Sequence, residues 1–301
     1  MSKPVGGDDR GRRCPTGVRP DPVALRRCLL AVSVLDDIDL TPTADGAAVA
    51  APAGLPPIAV SLADCATAIC GADPDSARAR RLLARWLWAR CAVAERSLEE
   101  LAELTRPVAL PTGHVLHSGD GWARRQVLGG CLDLGLGFAG LDTARADDVA
   151  IVPCGVLEAC RIDAAPWWRG ALEYLENMGA LATTRWRRDP RAPLRPMGDC
   201  DVVTLLASEV FRGALCADAG GMRAVAVPVR HRGWLDLSRI DPAFARAAAA
   251  LADETERGFD RPVLLTVDEV VLAGDGERPA EIVLRDPAAD DEPWRRDVLY
   301  R

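Results

Sequence analysis

The chain holds three histidines, and two of them lie in one short polar stretch, His114-Val-Leu-His117-Ser-Gly-Asp120. Imidazole nitrogens and a carboxylate at that spacing can supply part of a facial divalent-metal site, with His231 as a distant further ligand. A separation of three residues aligns such groups on a helix. Pro111, Gly113 and Gly121 bound the stretch and oppose a helix there. On a loop the same side chains suit either a small-molecule site beside a strand or a plain turn, Ser118-Gly-Asp-Gly121, whose histidines make ordinary hydrogen bonds.

Cys154 is the second position with reactive chemistry, because a thiol between a strand and a helix start meets the local conditions that lower its pKa. It requires a histidine base, to be supplied by His114, His117 or His231, and the competing reading is a buried, inert thiol. Cys65/Cys70 and Cys154/Cys160, five and six residues apart, point to different sides of a helix and do not make metal pairs. Arg230-His231-Arg232-Gly233-Trp234 is a compact basic and aromatic run that suits a phosphate or an acidic partner, and equally a hairpin turn. Asp199-Cys-Asp201 and Asp268-Glu269 are acidic clusters for which turn and cap roles fit better than shared acid/base work. Arg78, Arg81, Arg85 and Trp88 share one face of a helix, which suits either DNA contact or a solvated surface, and residues 73–104 leave a helix-turn-helix open.

The elements that must position these groups follow from periodicity. Leu132, Leu134, Leu136 and Phe138 alternate with Asp133, Gly135, Gly137 and Ala139, which predicts a strand with one core face and one nearly bare face open to close approach. Gly135-x-Gly137-x-x-Gly140 spells a dinucleotide fingerprint, yet the polar stretch after it offers no helix to receive a pyrophosphate, so the spelling carries no nucleotide site. Asp21-Pro22 starts a helix to about Val34, and a short strand is expected near Ala47–Ala50. Ser61 caps a short helix, and Asp73-Pro74 opens either one long helix or two, the second capped at Ser97. Val149–Val152 is a strand leading into a helix to about Ile162. A further helix runs from Pro166 to about Thr183, with an Arg- and Pro-rich loop over 184–196. Residues 202–216 are helical, Met222–Val229 is a strand pushed towards an edge by Pro228, and 241–257 is an alanine-rich helix that Asp241 caps and Gly258 stops. Val263–Leu272 forms a strand that pairs through Gly274-Asp-Gly276 with Glu281–Leu284, or else Thr266 to Glu269 caps a new helix.

With 49% apolar and 27% charged residues the chain has the balance of a folded protein. Its net charge of -7 weighs against nucleic acid and anionic membranes as general partners. Arg supplies nearly all the positive charge, with Lys3 the only lysine, which reads as GC-rich codon usage. No run reaches the length that spans a bilayer, the N-terminus lacks a secretory h-region, and ten scattered cysteines without CxxC fit reduced thiols in a cytoplasmic protein.

The expected fold is α+β or irregular α/β: a disordered tail over 1–20, a mainly helical section over 21–107, a mixed α/β domain over 108–286 and a C-terminal tail over 287–301. The function expected from these features is non-catalytic binding or regulation, of a protein or small-molecule ligand, through the 113–121 and 230–234 loops. His114, His117, Asp120, Arg230, His231 and Trp234 are its candidate ligand-binding residues. The alternatives are a hydrolase using Cys154 with a histidine base or a metal at His114, His117 and Asp120, and a DNA-contacting regulator through 73–104. The sequence names no cofactor.

Overall fold

The computed structural model describes residues 20–50, 56–69, 71–114, 124–141, 149–153, 155–235, 239–253 and 255–272. The tail expected over 1–20 lies almost wholly outside them, as do Cys70, the turn 118–121, Gly274–Gly276, the arm Glu281–Leu284 and the C-terminal tail. Among the described residues the chain is a mixture of α-helices and three antiparallel sheets, the α+β class.

In chain order the elements are α1 (Pro22–Leu35), β1 (Leu40–Thr43), β2 (Gly46–Val49), β3 (Ile58–Ser61), α2 (Leu62–Ala68), α3 (Ala77–Ala94), α4 (Leu98–Leu104), β4 (Thr105–Pro111), β5 (Arg124–Val127), β6 (Leu132–Ala139) and β7 (Val149–Ile151). There follow α5 (Val156–Ala159), α6 (Trp168–Arg188), α7 (Val202–Leu205), α8 (Glu209–Ala217), β8 (Met222–Val229), β9 (Arg232–Trp234), α9 (Pro242–Leu251), β10 (Val263–Thr266) and β11 (Val270–Leu272). Contacts group them into two units: residues 1–97, 118–122 and 152–163 in one, and 98–117, 123–151 and 164–301 in the other.

In the first unit α1, α2 and α3 pack on one another, and α1 and α2 meet the β1-β2-β3 sheet. Asp21 caps α1 with Pro22 at its first position, and Ser61 and Asp64 close a reciprocal capping box on α2. Asp73-Pro74 forms the preceding turn rather than the start of α3: the Asp73 carbonyl accepts from the Ser76 hydroxyl, and Ser76 caps the helix. Leu83, Trp86, Leu87 and Val93 are buried on α3, whereas Ala94 at its C-terminal end is exposed.

The second unit is built on β6, which the sequence marked out. Strand β4 pairs along its whole length on one edge, while β5 and β7 share the other. Strands β6 and β7, the next strand in the chain among the described residues, pair antiparallel. The parallel crossover that a dinucleotide fingerprint requires is therefore absent at this position. The glycine face of β6 is not bare. Asp133 is buried and paired to Arg124 at 2.6 Å, and a Cβ on Gly137 would meet Val149 Cγ1 at 2.7 Å, the Ala150 carbonyl at 2.9 Å and Val108 Cγ2 at 2.9 Å. The close approach is thus by neighbouring strands. The free edge of β4 is covered in part by α7, whose Thr204 hydroxyl accepts from the Ala109 amide at 3.0 Å.

Helix α6 runs beyond the expected end near Thr183 to Arg188. The stripe Ala171, Leu175, Gly179, Ala182 continues to Trp186, so burial carries the helix through the arginines. Gly179 lets the α8 cap approach, since a Cβ there would sit 2.0 Å from Ser208 Oγ; Glu176 then accepts from the Ser208 hydroxyl at 2.7 Å and from the Glu209 amide at 3.1 Å. The second sheet has the order β11-β10-β8-β9, so β8 is internal despite Pro228. Pro228 is tolerated because it sits in a register shift between Ala226 and Val229, where a bulge removes the need for its amide.

Two further expectations are corrected. Helix α9 ends at Leu251, not near Gly258: only Ala245 and Ala249 are buried, and Asp253 closes a turn onto the Thr255 amide. The strand and cap readings of 263–272 are both replaced by a tight β10–β11 hairpin, whose turn Thr266 and Glu269 close.

Candidate functional site

His114 is buried and its Nε2 lies 2.9 Å from the carbonyl oxygen of Arg257. It follows Gly113, which takes a positive φ of 83° just after β4 and turns the chain towards the 255–258 segment. His117 and Asp120 lie outside the described residues, and so does Cys154. Among the described residues no group of three or more His, Cys, Asp or Glu is placed to hold a metal ion.

The 230–234 loop is the β8–β9 hairpin turn, with Val229 opposite Arg232. Its five residues divide by role. Arg230 is inward and paired to Asp201 at 2.6 Å, while its carbonyl accepts from the Val202 amide at 2.8 Å and its amide donates to the Glu256 carbonyl at 2.8 Å. His231 is exposed, with Nδ1 3.3 Å from Glu256. Thus both described histidines meet consecutive residues of one segment, His231 at the Glu256 carboxylate and His114 at the Arg257 carbonyl. Gly233 is buried, and its amide and carbonyl pair with Leu194.

Trp234 is the centre of an arrangement the sequence reading missed. Phe244, at the start of α9, meets its ring edge-on at a centroid distance of 5.6 Å. The Arg239 guanidinium lies 5.7 Å from the Trp234 and Phe244 rings alike, and that of Arg232 lies 6.0 Å from Trp234. Asp241 positions Phe244 by capping α9 through the Ala243 amide at 2.8 Å. Arg232 and Arg239 are exposed, and neither forms an ion pair among the described residues. The signal available in the sequence was Arg239 and Phe244 flanking the Asp241-Pro242 helix start, a few residues after Trp234.

The acidic clusters are structural. Asp199 accepts from Arg106 Nε at 2.6 Å and from the Tyr174 hydroxyl at 3.1 Å, and Arg106 stacks on the Tyr174 ring. Asp201 caps α7 through the Thr204 amide while pairing with Arg230. Asp268 and Glu269 lie in the β10–β11 turn. Burial pushes the Cys65 thiol up to about 12 and drives Cys200 upward as well, with nearby aspartates adding to both, the opposite of an activated thiol. On α3, Arg78 and Arg81 are exposed and Arg85 is half-buried, with Trp88 at the surface. Among the described residues no helix is long and apolar enough to cross a membrane. No family model, curated protein or solved structure matches the chain.

Proposed function

We propose that this chain is a non-catalytic binding or regulatory protein whose 230–234 loop takes an anionic group on a protein or small-molecule partner. His114, of the 113–121 loop that the sequence also marks as a candidate, meets the Arg257 carbonyl next to Glu256, which His231 of the turn approaches. The observation that carries this reading is the pair of exposed guanidiniums, Arg232 and Arg239, stacked on Trp234 without a carboxylate partner among the described residues. A guanidinium held over an aromatic face keeps its edge N–H groups available for carboxylate or phosphate, and its orientation is already restricted before a partner arrives. Arg230 supports the reading from below, since its ion pair with Asp201 fixes the start of the turn.

The test is titration of the full chain with pyrophosphate and with a short polyglutamate peptide, followed by calorimetry. Wild type is expected to bind at least one probe with an affinity that falls as salt rises, and the Arg232→Gln/Arg239→Gln variant to lose at least tenfold. Equal affinity in the variant, or no salt-dependent binding of either probe, would overturn the proposal.

A further inference from the structure

Beyond the Trp234 loop, we propose that the groove at the C-terminal end of α6 binds a small organic anion with a flat apolar body, such as an aromatic carboxylate. The groove has a volume of about 350 Å³, within the range of small-molecule sites. Trp186, Leu194 and Phe211 give it an apolar lining, and Arg185, Arg188 and Arg195 stand along it. A cavity lined in this way matches a ligand with an apolar body and one negative end.

Charge and hydrogen bonding point to the same class. The charged residues lining the groove are three arginines, Arg185, Arg188 and Arg195, and one acid, Asp189, in a chain whose net charge is -7. Arg185 is spent on structure, donating to the carbonyls of Arg195 and Pro196 and so holding the wall of the groove in place. Arg188 and Arg195 are exposed and form no ion pair among the described residues. Among the described residues, Trp186 Nε1 is a buried side-chain donor without a hydrogen-bond partner, as are Thr183 Oγ1, three residues earlier on α6, and Nε of Arg223, whose guanidinium lies 5.5 Å from the Trp186 ring. Trp186 is itself 7% exposed and lines the groove. Buried donors without acceptors are uncommon in folded proteins, and one on a residue that lines a groove bearing arginines fits a site whose acceptor is the ligand.

The wall is also rigid enough to serve. Leu194 pairs with Gly233 of β9 through two main-chain hydrogen bonds of 2.8 and 3.1 Å, and a Cβ on Gly233 would meet Leu194 Cβ at 3.4 Å. The loop is therefore tied to the sheet on one side and to Arg185 on the other.

The probe for the test is 1-naphthoate, titrated into the full chain by calorimetry, with 1-naphthylmethanol as the uncharged counterpart. Saturable 1-naphthoate binding is expected, at least tenfold tighter than that of the alcohol and at least tenfold weaker in Arg188→Gln/Arg195→Gln. Ala192→Trp, which fills the groove, is expected to abolish it, and Trp234→Ala to leave it unchanged, separating this site from the anion-binding loop. No saturable binding, equal affinity in the double arginine variant, or loss of binding only in Trp234→Ala would overturn the proposal.

Discussion

A buried imidazole on a main-chain carbonyl and an exposed imidazole beside a carboxylate have different consequences when removed. His114 satisfies the Arg257 carbonyl across 143 residues of sequence, and replacing it with Ala leaves that acceptor without its partner as well as a small void. His114→Ala is expected to cost about 2 kcal/mol of stability. His231→Ala removes only a solvent-screened contact with Glu256 and should change stability by less than about 0.5 kcal/mol. Denaturant midpoints of the two variants would check this, and equal losses would contradict the assignment of one as anchor and the other as surface group. The sequence exposed both histidines as candidates because their residue type is rare in this chain. It gave no hint of their partners, since residues 256 and 257 come to them only through the sheet. Trp234 was visible as part of the basic and aromatic run, whereas the stacking of Arg239 on it is a contact in space that the run itself does not show.

At the level of elements, what was legible depended on whether the cause was local. Asp21, Ser61 and Asp241 cap the helices they were expected to cap, because a cap is decided within a few residues. The end of α6 was not legible, because Trp186 joins the core by tertiary packing while its neighbours read as a polar loop. Helix α9 failed the other way: alanine propensity suggested a longer helix than its two buried alanines sustain. The glycine face of β6 was recognised as a place of close approach by a helix, a neighbouring backbone or a ligand, and at Gly137 the approaching groups are the adjoining strands, the Ala150 carbonyl among them. Gly137→Val should therefore destabilise the protein by at least about 2–3 kcal/mol, since Val149 Cγ1, the Ala150 carbonyl and Val108 Cγ2 would all have to move and one of them is backbone. Gly213 in α8 has nothing within 4 Å of a Cβ position, so Gly213→Ala is the matched control and should be neutral or slightly stabilising. An unfolding curve for Gly137→Val that overlays the control would refute the packing account of this strand.

For the molecule as a whole, the thiols set how stability responds to alkaline pH. Cys28, Cys65, Cys91, Cys160, Cys200 and Cys216 are all raised, burial being the first cause in each case, and Cys65 reaches about 12. In the unfolded chain a thiol ionises near pH 8.5. Above that pH the unfolded state has released protons that the folded state still holds, so it binds fewer protons and the slope of stability against pH is negative. The stability linked to these groups is fully present below about pH 8.5 and is lost as pH rises towards the folded value, which for Cys65 is about 12. Within that window each such thiol contributes a fall of up to about 1.4 kcal/mol per pH unit. Other alkaline titrations add little to obscure this: arginine stays protonated, Lys3 is the only lysine, and tyrosine occurs twice. Tyr174, also raised by burial, acts in the same direction above about pH 10. Urea unfolding of the reduced protein between pH 7 and 10.5 should show a level stretch followed by a steep decline beginning near pH 8.5–9. Cys65→Ala should make that decline shallower by one thiol's share while lowering stability at pH 7. A profile that stays level to pH 10.5, or a slope unchanged by Cys65→Ala, would mean that these thiols ionise alike in the folded and unfolded chain.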